Sequence, residues 1–351
     1  MGKGEKIGDL ADLVGAELFG DPEIKVGAMA AFTEAKEGEI SFLVRPGRDT
    51  GPCAASALVV PSRCPQFASA QLVVRNVPLA AAIIHNRLVV APFAAKGVHP
   101  SVIIGSDCDI SPEVGIAAGV VIGDRVKIAV RVKIGANSVI GDDCEIGEDT
   151  VIHAGVILYN RVSVGRRGII HSGVVLGADG FGFVTDSTGN HVKRTHVGRV
   201  AIEDGVELGA NSCVDRANLG TTRVRSGVKT DNYVQIGHNA DVGENCLLVA
   251  QVALGGSVVI GRNCVFAGQV GVKDHVKVGD RVMAGGKTGI HCDQPDGAMI
   301  SGMPAIPHRQ WLKAAKVFAE LPAMARRIRK LEERLAKYAG QEQPPPDDAT
   351  E

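Results

Sequence analysis

A chain of 351 residues has room for two or three domains, and its formal net charge of -1 excludes the basic excess of a nucleic-acid binder. Aromatic residues make up only 4% of it while glycine reaches 44 residues, so something other than bulky side chains must fill the interior. Eight cysteines, at 53, 64, 108, 144, 213, 246, 264 and 292, form no C-x-x-C and no compact disulfide framework, which points to reduced thiols. The first twenty residues lack the apolar core of a signal peptide, and nowhere do about 18 uncharged apolar residues run together. The expectation is a cytoplasmic protein with no transmembrane segment.

Residues 1–97 read as a small α/β domain. IGDLADLVGAEL spaces its leucines as an amphipathic helix, SALVVP and QLVVRN read as buried strands, and PLAAAIIHNRLV reads as a closing helix with Pro78 near its start.

From Ile104 an apolar residue recurs every six positions: Ile110, Ile116, Ile122, Ile128, Ile134, Ile140, Ile146, Ile152, Leu158, Val164, Ile170 and Leu176. The residue four later is small or branched, as at Val120, Ser138 and Cys144. A helical period of 3.6 cannot produce this, whereas short strands turning every six residues can. The expected fold is mainly β, a left-handed parallel β-helix over 98–305. Three hexads make one coil of 18 residues, and coils stack about 4.8 Å apart. Cys108, Cys144, Cys246 and Cys264 fall at the small inward position, as packing residues.

The period breaks over an insertion at 178–199, resumes at Ile202, Leu208 and Val214, shifts phase, and runs again from Ile236 to Ile290. Over 306–340 the chain turns helical. Leu321, Met324, Ile328, Leu331, Leu335 and Tyr338 form a coiled-coil seam beside the basic Arg326, Arg327, Arg329, Lys330, Arg334 and Lys337. The seam suggests an oligomer, a parallel trimer being the expectation. The tail 341–351 is too polar and proline-rich to pack.

Of ten histidines, His153, His171 and His291 directly follow an inward residue and read as surface or inter-subunit hydrogen-bonders. His85, His99 and His308 carry still less. His191 and His196 form an H-x4-H pair, one ligand short of a fixed catalytic zinc set, which needs three protein ligands and an open position; no metal is expected. His238 stands apart. One coil further on is Gly256, and a second brings position 274, beside His275. An imidazole suits proton removal near neutrality, and a glycine N–H can hold an oxyanion. With no G-x-S-x-G elbow and the repeat cysteines inward, direct acyl transfer to an amine or hydroxyl fits better than a covalent acyl-enzyme.

GEISFL, GVHPSVIIG, GADGFGF, GRVAIEDGVELGANSCVDRA, DNYVQIGHN and SGMPA together resemble the UDP-3-O-acylglucosamine N-acyltransferase family of lipid A biosynthesis, over residues from about 7 to 338. The resemblance implies a homotrimer moving a 3-hydroxyacyl chain from acyl carrier protein to the 2-amine of a UDP-acylsugar lipid, with no cofactor beyond the donor's phosphopantetheine. It implies His238 as general base, Gly256 as oxyanion donor, His275 and Asp231 as substrate-positioning residues, and Phe42 as the ring that stacks on uracil. Arg45 and Arg48 stand where the family often has asparagine and tyrosine; arginines there would meet the diphosphate or stack on a base. Gly285 to Ile290 lack the bulky methionines some members place near the acyl chain. The alternative activity is O-acyl transfer, or acetyl transfer from acetyl-CoA, to a UDP-sugar. A non-catalytic β-helical scaffold would lack the aligned His238, Gly256 and His275.

Overall fold

The computed structural model describes residues 4–47, 51–90, 93–302 and 304–339. The chain divides into two units, Met1–Phe93 and Ala94–Glu351.

In the first unit, helix α1 (Ile7–Val14) buries Ile7, Leu10 and Ala11 and stops at Gly15. That glycine is left-handed (φ 61°), and its N–H caps the carbonyls of Ala11 and Asp12, so the helix is shorter than its leucine spacing suggests. The end of the same motif becomes the strand Glu17–Phe19. This strand edges a five-stranded sheet that continues through Ala70–Val73, Ala57–Val60, Glu39–Phe42 and Ala28–Met29. Helix α2 (Val77–Val89) starts where the Asn76 side chain accepts the Leu79 N–H, with Pro78 in its first turn, and packs Val77, Ala80 and Ile84 into the core.

The second unit is a parallel β-helix with three flat faces. Among the described residues, face 1 has 11 strands beginning at Gly97–Val98, face 2 has 10 beginning at Ile103–Ile104, and face 3 has nine beginning at Asp109–Ile110. Gly97–Val98 pairs with Gly115–Ile116, so the first coil takes in residue 97, which the sequence reading left to the N-terminal domain. The hexad residues stack in register through the interior: on face 2, Ile122 lies on Ile140, Leu158 and Leu176, and Val214 on Ile236, Leu254, Val272 and Ile290. All of these are buried. Each such side chain contributes about 1.5–3 kcal/mol on burial, and every coil draws its stability from its two neighbours.

The small inward residues close the corners. The thiols of Cys144, Cys246 and Cys264 are buried and donate to the carbonyls of Tyr159, Gly261 and Gly279, as the hydroxyls of Ser138 and Thr150 donate to those of His153 and Gly165. Burial pushes the Cys144 thiol up to about 11. Such a group is a packing residue rather than a nucleophile. Cys108, in the first coil, is only half-buried and packs against the end of the core.

Helices α3 (His308–Phe318) and α4 (Leu321–Ala339) end the described chain. The helical region is therefore two helices with a break at Ala319 and Glu320, and Pro322 stands in the first turn of the second, where its missing N–H has no helical partner to lose. The seam residues from Leu321 to Tyr338 are 40–67% exposed.

Candidate active site

Both insertions into the repeat fall on one edge, between faces 2 and 3. Val175 pairs with Cys213, 38 residues on instead of 18, because the chain leaves face 2 for an insertion with a small hairpin (Phe183–Thr185 with His191–Lys193) before rejoining face 3. Cys213 then pairs with Gln235, 22 residues on, because a four-residue excess bulges out around Ala217 to Gly220. This second insertion is the phase shift seen in the sequence. The next turn along the same edge is Gly237 to Ala240, which carries His238.

The bulge sets the chemistry of that histidine. Asn239 occupies the left-handed corner position (φ 60°), a conformation asparagine tolerates better than most residues. Its Oδ1 accepts the Asn218 N–H at 2.9 Å, its Nδ2 donates to the Leu219 carbonyl at 2.8 Å, and its own N–H donates to Thr222 Oγ1 at 2.8 Å. The amide is thereby oriented, with its oxygen toward the ring. His238 Nδ1 lies 3.1 Å from that Oδ1, so Nδ1 carries the proton and Nε2 presents a bare lone pair. Asn239→Gly keeps the turn conformation while removing the acceptor. It is expected to lower kcat by about 10²-fold, the scale of a misoriented catalytic group, with a small change in Tm; unchanged turnover in a steady-state assay refutes the tautomer role.

Gly256 lies directly against this lone pair. A Cβ built on Gly256 falls 2.6 Å from His238 Nε2, so only glycine lets the ring rest there. The coils are tied at this point by Ser257 N–H to the His238 carbonyl (2.8 Å) and His275 N–H to the Gly256 carbonyl (2.9 Å). At some equivalent corners the corresponding amide is capped from the next coil, as Asp142 caps Asp124, Asn232 caps Ala210 and Asp280 caps Arg262, while at others, such as Ala136 and Ala250, it has no partner among the described residues. The Gly256 N–H donates to none of the described residues. A base and an uncapped backbone donor thus share one edge, which suits removal of a proton from a nucleophile and support of an oxyanion. His275, two coils from His238, is exposed and takes the same left-handed corner position as Asn239 (φ 61°).

The other expected site residues are more dispersed. Asp231 is exposed on the edge between faces 1 and 2, across face 2 from His238, and its Oδ1 accepts the Asn232 N–H. The carboxylate whose field reaches His238 is instead Asp215, half-buried and hydrogen-bonded by Gln235 Nε2 at 2.9 Å. Burial pushes the Asp215 carboxyl above its ordinary range, against the pull of Gln235, His238 and His196. His191 and His196 do not act as a pair. The first is exposed on the hairpin with Nδ1 3.0 Å from Thr185 Oγ1, and the second is buried against His238 with ring centroids 5.2 Å apart. In the first unit, Phe42 ends the strand Glu39–Phe42 with 40% of its surface exposed, and Arg45 follows in an exposed loop. Arg48 lies outside the described residues. His153 and His171 stack face to face at 4.9 Å on the edge between faces 1 and 2, where His171 Nε2 is 3.1 Å from Glu207.

Residues 131–160 match the family model described as bacterial transferase hexapeptide (six repeats). The chain is 48% identical to the UDP-3-O-acylglucosamine N-acyltransferase of Desulfotalea psychrophila over 94% of its length and 97% of the relative's. It is 52% identical to that of Syntrophotalea carbinolica over 94% and 96%. The chain belongs to the UDP-3-O-acylglucosamine N-acyltransferase family. Similarity to the solved UDP-N-acetylglucosamine acyltransferase of Francisella novicida is partial, at 23% identity over 61% of this chain and 73% of that one, with a TM-score of 0.41.

Three residues beside His238 lie outside what the sequence pattern predicts: Asn239 as the hydrogen-bond partner of its ring, Asp215 as its acidic neighbour and His196 as its ring contact. Asn239 had a signal, since a polar residue directly after a corner histidine can reach back to the ring. Asp215 and His196 had none in the count by 18, because an insertion separates each from His238. None of the helices among the described residues is long and apolar enough to cross a membrane.

Proposed function

We propose that this chain is a cytoplasmic N-acyltransferase that moves a 3-hydroxyacyl chain from acyl carrier protein to the 2-amine of UDP-3-O-acylglucosamine, in lipid A biosynthesis. The observation that carries the proposal is the bare Nε2 of His238 resting on Gly256, whose N–H has no cap among the described residues. In this mechanism the neutral amine attacks the thioester carbonyl while His238 Nε2 takes its proton. The Gly256 N–H holds the oxyanion, which collapses to the amide and expels the phosphopantetheine thiolate; the proton on His238 returns to that sulfur. No resident cofactor takes part. We assign Phe42, Arg45, Arg48 and Asp231 to binding the acceptor, and His275 to positioning the donor and acceptor at the base.

The exposed apolar seam of α4 supports a trimer, since a stripe of this kind calls for a partner. The basic residues beside it suit an acidic carrier protein. Reversing Arg326, Arg327 and Arg329 to glutamate together should raise the KM for the acyl donor and leave the KM for the UDP-sugar alone. An unchanged donor KM would mean that these charges only solvate the helix. The whole reading is tested by assaying the purified protein with the UDP-acylsugar and acyl carrier proteins bearing 3-hydroxyacyl chains of several lengths. Amide formation supports it; transfer only to a hydroxyl, or only from acetyl-CoA, replaces it with the alternative activity.

A further inference from the structure

His196 is 2% exposed, and among the described residues it alone has a buried side-chain nitrogen without a hydrogen-bond partner. Its Nδ1 lies 3.1 Å from the Arg194 carbonyl, which can only accept, so Nδ1 carries the proton and the orphaned Nε2 is a bare lone pair. Burying a lone pair with no donor is unfavourable, and a hydrophobic residue would avoid that penalty. The fold nevertheless clears space for this ring. A Cβ on Gly182 would fall 2.5 Å from His196 Cε1, and one on Gly180 would fall 2.7 Å from the Cβ of His238. Both glycines belong to the ADGFG stretch that opens the insertion. The two imidazoles meet edge to face, with centroids 5.2 Å apart and planes at 67°, the arrangement ring quadrupoles favour. The insertion is anchored beside them by Lys193 to Asp179 at 2.6 Å and by Arg161 to the Val197 carbonyl at 2.8 Å.

We propose that His196 is a positioning residue: delivered by the insertion, its ring holds the His238 imidazole in the orientation that rests Nε2 on Gly256. Asn239 fixes which nitrogen is bare, and His196 fixes where the ring lies. This inference rests on His238 being the base, and the insertion is then a clamp on that base.

Two substitutions separate positioning from folding. His196→Asn keeps an N–H able to donate to the Arg194 carbonyl but removes the ring edge that meets His238, whereas His196→Ala removes both. The expected result for His196→Asn is a Tm close to wild type, KM values for both substrates unchanged, and kcat reduced toward the roughly 10²-fold loss that a misplaced catalytic group brings. His196→Ala should lose as much kcat and also some Tm. A crystal structure of the His196→Asn protein should show the His238 ring displaced from Gly256 or split between rotamers. Wild-type kcat in His196→Asn, or a loss shared in proportion by Tm and both KM values, overturns the proposal; so does a His238 ring that stays on Gly256. The crystallographic readout needs no turnover, so it decides the clamp even if the chain proves inactive on the substrates proposed above.

Discussion

His238→Ala is expected to lower kcat by about 10²- to 10⁴-fold, the contribution of a positioned general base, while the Tm and both KM values stay near wild type. The fold has little at stake in this side chain. It is half-buried on an edge, and the ties between coils at this point run through the His238 carbonyl and the Asn239 amide, which the substitution leaves in place. In the proposed mechanism the chemistry has more at stake, because Nε2 is the bare nitrogen on the lining of the edge and the attacking amine has to lose a proton. His275→Ala provides the contrast. That ring is exposed and two coils away, and the proposal gives it the positioning of substrate, so its loss should fall mainly on KM and cost kcat much less. Equal turnover in His238→Ala and the wild type would sink the base assignment. A larger kcat loss in His275→Ala would move the base to the other imidazole.

How much of this could be read from sequence follows from how the coil counts. Where the repeat is unbroken, 18 residues return the chain to the same spot one layer on, so placing His238 on Gly256 needs only addition; the structure keeps that register through Gln235 and Ala253. The same count explains Cys144, Cys246 and Cys264 as packing residues. Counting fails across insertions. Asp215 lies 23 residues before His238 and His196 lies 42 before it, neither a multiple of 18, yet both reach the same edge because the excess chain loops outward there. Nearness in sequence also misleads. Asp231 is only seven residues before His238, but that is more than one hexad, and it turns the chain across a whole face. In the N-terminal unit the leucine spacing of α1 was legible, whereas its end depended on the left-handed Gly15, a backbone property that apolar periodicity does not carry.

Gly256→Ala is expected to cost about as much kcat as losing the His238 imidazole, although it adds only one methyl group and replaces no titrating atom. The backbone would accept it, since Gly256 is not among the glycines with positive φ. The imidazole would not. The new Cβ would fall 2.6 Å from Nε2 and 2.8 Å from Cε1, whereas carbon and nitrogen pack comfortably only at about 3.5–4.0 Å. The ring must therefore move by about 1 Å, a displacement that can cost about 10²-fold in rate, and its retreat is blocked by Gly180 and the His196 ring. The methyl would also crowd the Gly256 N–H, a donor type whose loss costs about 10²–10³ in kcat. Gly271→Ala is the matched control, because it lies one strand away on face 2, has ordinary φ and has nothing within 4 Å of its added Cβ. The expected outcome is a near wild-type Tm for both proteins and a collapse of kcat in Gly256→Ala alone. Full activity in Gly256→Ala would show that the acyl group is held elsewhere and that the contact between His238 and Gly256 is packing, not catalysis.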